Sequence, residues 1–283
     1  MTYEEHYLTN RHGQRWYYRD YGAGNPGTPV LCLSGITRNS SDFHQLAEHL
    51  AAEGRRVIAL DYPGRGKSDY EPNWRNYRPL RVLTGIVRFT KALHLDHAIV
   101  IGTSLGGLMT MGLAALRPGF IKAAVINDIG PDLSSGGIPR IVAYVGRDHP
   151  QVDWAGAVQH LKESFPNVGL GSEADWLEMA KGSFKLADDK SLHIDWDVNI
   201  AKTLAGGAKS PIPLWLVFRA LRWTPLLVIR GGQSDVLSQA TFDHMAEVKP
   251  DLHRLVIPGA GHTPTLNEPE CRAAIDGLLR PIV

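Results

Sequence analysis

Cysteine is nearly missing from this 283-residue sequence: only Cys32 and Cys271 occur, far apart in the chain. No disulfide framework is expected, and Cys32, inside the apolar run Val30-Leu31-Cys32-Leu33, reads as a small buried hydrophobe. Cys/His spacing of the zinc-binding kind is missing too. So is any apolar run long enough to span a bilayer. Met1-Thr2-Tyr3-Glu4-Glu5-His6 lacks the basic-then-apolar pattern of an export signal, so a cytoplasmic location is expected. Neither sign of charge dominates. Thirty Lys and Arg face 29 Asp and Glu, a net charge of +1 with no basic block, which argues against nucleic acid and membrane as partners. A hydrophobic content of 43% and a charged content of 21% are ordinary for a globular chain. The length suits one large domain or a domain carrying an insertion.

Against these absences stands one stretch, His97-Ala98-Ile99-Val100-Ile101-Gly102-Thr103-Ser104-Leu105-Gly106-Gly107. A β-branched apolar run ends at a glycine, a serine follows two residues on, and Leu108 to Leu116 then reads as a helix. This strand, tight turn and helix fit the G-x-S-x-G nucleophile elbow. Small neighbours two positions either side are what so sharp a turn needs. Ser104 would stand near a helix N-terminus, where free N–H groups stabilise a developing oxyanion. A serine that merely caps the helix is the plainer reading of the same turn.

The remaining pattern supplies the context. Residues 4–9 and 14–21 predict two strands hinged at Arg11-His12-Gly13. Short apolar strands follow at Val30–Leu33, Arg56–Asp61, His97–Thr103, Ala123–Asp128, Thr224–Arg230 and His253–Ile257. Helices alternate with them: Asp42 is expected to cap one running to about Glu53, another covers Leu80–Leu93, and Glu268–Leu279 closes the chain. Unbroken apolar strands between helices predict an α/β fold, a mostly parallel eight-stranded sheet covered on both faces. In such sheets the site lies beyond the C-terminal strand ends. The loop Tyr62-Pro63-Gly64-Arg65-Gly66-Lys67-Ser68 lacks phosphate-loop spacing and reads as a turn. From Pro131 to Trp223 the alternation stops. Helical pieces are predicted at Pro139–Val145, Trp154–Phe165, Glu173–Phe184 and Pro213–Leu221. The segment 131–223 is expected to be a helical cap inserted in a core of residues 1–130 and 224–283. Trp154 and Trp215, among five tryptophans there, are candidate pocket residues, although most are expected simply to pack the cap on the sheet.

A serine hydroxyl attacks only when a base takes its proton and a third group orients the base. His262, in Pro258-Gly259-Ala260-Gly261-His262-Thr263-Pro264 directly after the last strand, belongs at the same sheet edge as Ser104. Asp235, in Arg230-Gly231-Gly232-Gln233-Ser234-Asp235, is the preferred acid, giving the order Ser104, Asp235, His262. Asp128, ending the Ala123–Ile126 run, is the rival. The backbone N–H groups of Ile36 and Leu105 are the candidate oxyanion donors. Arg38, two residues beyond Ile36, is a candidate for binding a substrate carboxylate; pairing with Asp42 is the alternative.

With these motifs assembled, the sequence resembles the α/β-hydrolase superfamily, in its lid-bearing esterase, lactonase and carbon–carbon hydrolase branch. The resemblance rests on Ser34-Gly35, Asp61-Tyr62-Pro63-Gly64-Arg65-Gly66-Lys67-Ser68, the elbow, the Arg230–Asp235 stretch and Gly261-His262. It implies no metal or organic cofactor. Many relatives carry His-Gly where this chain has Ser34-Gly35. Serine at position 104 argues against the carboxylate nucleophile that some relatives use. The reaction expected is acyl transfer to water on a small to medium ester or lactone. The alternatives are carbon–carbon cleavage of a ring-cleavage diketo acid, or a ligand-binding receptor on the same scaffold. A small-molecule substrate and a monomer or homodimer are expected.

Overall fold

A computed structural model describes residues 3–134, 136–165, 168–204 and 213–282, without the side chain of 138. Parts of the expected cap, at 135, 166–167 and 205–212, lie outside the described residues. The chain opens with the hairpin β1 (Glu4–Thr9) and β2 (Arg15–Tyr21), followed by β3 (Gly27–Leu33), α1 (His44–Ala52), β4 (Arg55–Leu60) and α2 (Pro79–Ala92). Next come β5 (Ala98–Thr103), α3 (Leu105–Leu116) and β6 (Ile121–Asn127). An inserted segment then holds α4 (Gly137–Val145), α5 (Trp154–Ser164), α6 (Glu173–Lys181), the short strands β7 (Phe184–Leu186) and β8 (Leu192–Ile194), and α7 (Leu214–Phe218). The chain returns to the sheet as β9 (Leu226–Gly231), α8 (Gln239–Val248), β10 (His253–Ile257) and α9 (Pro269–Leu279).

Eight strands form one sheet in the order β1-β2-β4-β3-β5-β6-β9-β10. Only the pairings β1–β2 and β2–β4 are antiparallel. The strand sequences show why both faces are covered. Leu31, Leu33, Ile58, Leu60, Val100 and Ile126 point to the face packed by α2, α3 and α8. Their alternates Val30, Cys32, Val57, Ala59, Ile101 and Val125 point to the face packed by α1 and α9. A period of two with apolar residues on both phases is what a doubly covered parallel sheet requires. Cys32 and Cys271 are buried free thiols.

Three local readings differ from expectation. Asn39, not Asp42, caps the turn that leads into α1, its side chain accepting the Ser41 N–H at 3.0 Å. Asp42 is drawn instead to Arg38. The helix expected over Glu173–Phe184 stops at Gly182, and the chain then enters the hairpin β7–β8. Helix α8, capped by Ser238, was not anticipated, because its buried side is only Thr241, Phe242 and Met245. The inserted segment has an apolar cluster of its own around Val145, Leu161, Phe184 and Trp196, whereas Phe218 and Leu221 join the cluster of the sheet. Among the described residues no helix is long and apolar enough to cross a membrane.

The elbow depends on closeness. A Cβ on Gly106 would lie 1.9 Å from the Leu33 carbonyl oxygen of the neighbouring strand, so α3 starts against the sheet only with glycine there. Gly277, in α9, would meet nothing within 4 Å. Gly106→Ala is expected to cost about 3 kcal/mol or more, lowering the melting temperature by about 5 °C or more. Gly277→Ala should stabilise by about 1 kcal/mol through helix propensity. Thermal unfolding of the two variants checks both signs.

Candidate active site

β3 and β5 are neighbours whose chains leave in opposite directions, β3 toward β4 and β5 toward β6. Their following loops part and leave a crevice at the C-terminal edge. Ser104 stands there, at φ 52° and ψ −113°. A non-glycine residue in such a conformation costs about 1–3 kcal/mol, held here by the strand behind it and the helix ahead. The Ser104 N–H donates to the Asn127 carbonyl at 2.9 Å, tying the turn to β6. Leu105 is the first residue of α3, so its N–H has no hydrogen-bond partner within the helix.

His262, on the loop after β10, reaches Ser104 Oγ with Nε2 at 2.9 Å. Its Nδ1 lies 2.7 Å from Asp128 Oδ2. Asp128 follows β6 and is completely buried. Its Oδ1 accepts the Gly231 N–H at 2.8 Å and its Oδ2 accepts the Ser234 hydroxyl at 2.6 Å. A carboxylate is an acceptor only, so Nδ1 of His262 carries the proton and Nε2 is left to accept one from Ser104.

Asp235 is not in this chain of hydrogen bonds, contrary to the expectation from sequence. Its carboxylate is 44% exposed and pairs with Arg140 of α4 at 2.9 Å. The reason lies in the end of β9 and the loop after it. Gly231 and Ser234 turn inward and donate to Asp128, which leaves Asp235 on the outer side. The motif thus supplies two donors that hold the Asp128 carboxylate. Ser234 and Gly231 were missed for that reason. Strand order carried a signal in favour of Asp128: β6 lies next to β5, whereas β9 is one strand farther from Ser104.

Ile36 and Gly35 border the same crevice as Ser104 and His262. A Cβ on Gly35 would stand 3.9 Å from Ser104 Cβ, so the loop passes close to the serine. The Ser34 hydroxyl donates to the Arg38 carbonyl at 3.0 Å, and the Arg38 N–H donates to the Gly35 carbonyl at 3.2 Å. The Ser34 side chain therefore helps to close this turn.

A cavity of about 560 Å³ opens over Ser104. Ile141, Tyr144, Phe165 and Leu170 of the inserted segment form its apolar wall. Arg38 lines it as well, but its donors are already engaged. Nε binds Asp42 at 2.9 Å, and Nη1 reaches Ser183 Oγ and the Met179 carbonyl on the inserted segment. Trp154 and Trp215 are not among the lining residues described. Trp154 is 37% exposed at the start of α5, and Trp215 packs against Phe218 and His244.

A second serine–histidine–aspartate group occurs on the inserted segment. Ser191 Oγ lies 2.9 Å from His193 Nε2, and His193 Nδ1 lies 2.6 Å from Asp148. Asp189 also binds Nε2, at 3.0 Å. Asp189 and Asp148 place a carboxylate on each ring nitrogen and raise the His193 pKa. No described metal-binding cluster of His, Cys, Asp or Glu occurs.

A family model described as the alpha/beta hydrolase fold matches residues 28–269. The crystal structure of an alpha/beta hydrolase from Novosphingobium aromaticivorans is similar with a TM-score of 0.93 and 40% identity, covering 99% of both chains. A 3-hydroxybutyrate-oligomer hydrolase of Cupriavidus necator is 28% identical over 268 residues, 90% of this chain and 89% of that one. A 2-(acetamidomethylene)succinate hydrolase of Mesorhizobium japonicum is 27% identical over 238 residues, 83% of this chain and 82% of that one.

The His262–Asp128 contact has a spectroscopic consequence. A shielded, charge-assisted Nδ1–H is expected to give a low-field proton resonance in the NMR spectrum. It should survive Asp235→Asn and disappear in Asp128→Asn. The opposite pattern would assign the acid to Asp235.

Proposed function

The chain belongs to the alpha/beta hydrolase family and is a hydrolase; from that premise we propose that it cleaves a neutral carboxylic ester or lactone of small to medium size through an acyl-enzyme on Ser104. The observation that carries this reading is the unbroken hydrogen-bond chain from Ser104 through His262 to Asp128 at the floor of a cavity. His262 takes the Ser104 proton as the hydroxyl attacks the substrate carbonyl. The N–H groups of Ile36 and Leu105 receive the oxyanion. His262 then protonates the leaving alcohol, and water repeats the steps on the acyl-enzyme. Asp128 fixes the imidazole tautomer and stabilises the imidazolium. In this reading residues 131–223 act as a cap whose apolar wall holds the acyl chain.

Charge around the cavity supports a neutral substrate. Asp42, Asp175, Glu178 and Glu268 border it, and Arg38 is the one guanidinium among the described lining residues. Because Asp42 and Ser183 occupy Arg38, it offers little to a substrate carboxylate, which would enter a field of its own sign. The Cupriavidus relative is named for oligomers of 3-hydroxybutyrate, a hydroxy acid whose condensation forms ester bonds. Ester cleavage fits that likeness. The diketo-acid alternative would call for a free cation, and among the described lining residues Arg38 is already paired.

Initial rates on p-nitrophenyl esters from acetate to dodecanoate test the reading. An optimum between about four and eight carbons is expected for a cavity of this size. An ester whose acyl chain ends in a carboxylate should show kcat/KM lower by about tenfold or more. Ser104→Ala should retain less than about a thousandth of the activity. Turnover that persists in Ser104→Ala would overturn the serine mechanism, and preference for the acidic chain would overturn the neutral substrate.

A further inference from the structure

Arg65 heads the largest fully buried side chains among the described residues, 1% exposed. Among the described residues no carboxylate accepts a hydrogen bond from it. Its Nε donates to the Ile36 carbonyl and its Nη1 to the Pro63 carbonyl at 2.8 Å. The guanidinium also lies over the Tyr62 ring, 5.4 Å from the centroid. Burial pushes its pKa down to about 10, so the charge is retained at neutral pH in a place that disfavours it. Asp61 and Asp197 favour the charge from a distance, but a buried cation whose hydrogen bonds go only to carbonyls is costly, and an apolar side chain of similar volume would satisfy packing at least as well. Its position says what the charge is for.

Two peptide planes flank Ile36. The Gly35–Ile36 plane, which carries the Ile36 N–H, is pinned through the Gly35 carbonyl by the Arg38 N–H. The next plane, carrying the Ile36 carbonyl, is held by Arg65. With both fixed, rotation about Ile36 is removed and its N–H has one direction. The backbone around Arg65 is in turn seated on the inserted segment. Arg65 forms a β-bridge with Trp196, the Gly66 N–H donates to the Asp195 carbonyl at 3.1 Å, and the Asp197 N–H donates to the Gly64 carbonyl at 2.8 Å.

We infer that Arg65 is a positioning residue of the oxyanion hole, aiming the Ile36 N–H at the developing charge and making the seating of the inserted segment a condition of that aim. This rests on the serine-hydrolase reading with Ile36 as an oxyanion donor. Arg65 touches no reacting atom; it acts through Ile36.

Arg65→Met and Arg65→Lys test the inference. The measurements are kcat and KM on a p-nitrophenyl ester, the inhibition constant of an alkylboronic acid, and thermal unfolding. The boronic acid forms a tetrahedral adduct with a serine and places an oxygen in the hole. In Arg65→Met, kcat per folded molecule is expected to fall about 10–100-fold, the size of effect that a slightly misplaced catalytic group produces. Boronic-acid affinity should weaken by the same factor, with KM within about twofold, since ground-state binding does not use the hole. The melting temperature should hold or rise, because a buried charge has been replaced by an apolar chain. Arg65→Lys, which keeps the charge and one directed donor, should recover part of kcat. Wild-type kcat and boronic-acid affinity in Arg65→Met would overturn the inference, as would failure of both variants to fold. A wild type that turns over no ester would overturn the serine-esterase reading instead.

Discussion

A buried carboxylate with three donors around it organises this molecule. Asp128 has no exposure, and it is held by the His262 ring, the Gly231 N–H and the Ser234 hydroxyl. Those donors come from the end of β9 and from the loops after β9 and β10, while Asp128 directly follows β6. One carboxyl group thus gathers three strand ends, and the cost of burying it is offset by the hydrogen bonds it accepts. Asn127 extends the arrangement, accepting the Ser104 N–H with its carbonyl and donating from its side chain to the Pro264 carbonyl at 2.8 Å. The serine turn and the histidine loop are therefore braced on the same two residues.

Much of this was legible in the sequence, and what was not has a physical reason. The strands were readable because apolar residues on both phases of a period-two pattern leave few alternatives to a buried sheet. Ser104 and His262 could be placed because each follows a strand directly, so chain position alone brings both to the C-terminal edge. The acid was a different matter. Asp128 and Asp235 both follow strands, and only lateral strand order together with the turn of the loop after β9 decides between them. Neither is encoded locally. The same limit applies to Trp154 and Trp215, since composition identifies an aromatic-rich segment but not which rings face the cavity. Arg65 was passed over within a glycine-rich turn because its partner Ile36 is 29 residues earlier in the chain and offers only a carbonyl.

The inserted segment contributes in two ways. Its apolar residues close one side of the cavity, and its edge contacts the two loops that flank Ile36. Arg38 and Asn39 bind the end of α6, Asn39 donating to the Gly182 carbonyl at 3.0 Å. The loop of Gly64 and Gly66 binds Asp195 and Asp197. In the proposed reaction, substrate selection and oxyanion geometry thus share one set of contacts. Specificity among members of such a fold is then a property of how the insertion sits as well as of what lines it.

If Ser104 carries the acyl group, the acyl-enzyme can be trapped on it. Wild-type protein is quenched in acid during turnover of a p-nitrophenyl ester, digested, and its peptides weighed by mass spectrometry. The account predicts a single acyl mass increment on the peptide containing Ser104, lost after His262→Ala when the ester is given for the same time. Steady turnover with that peptide unmodified, or with the increment on another residue, would contradict it.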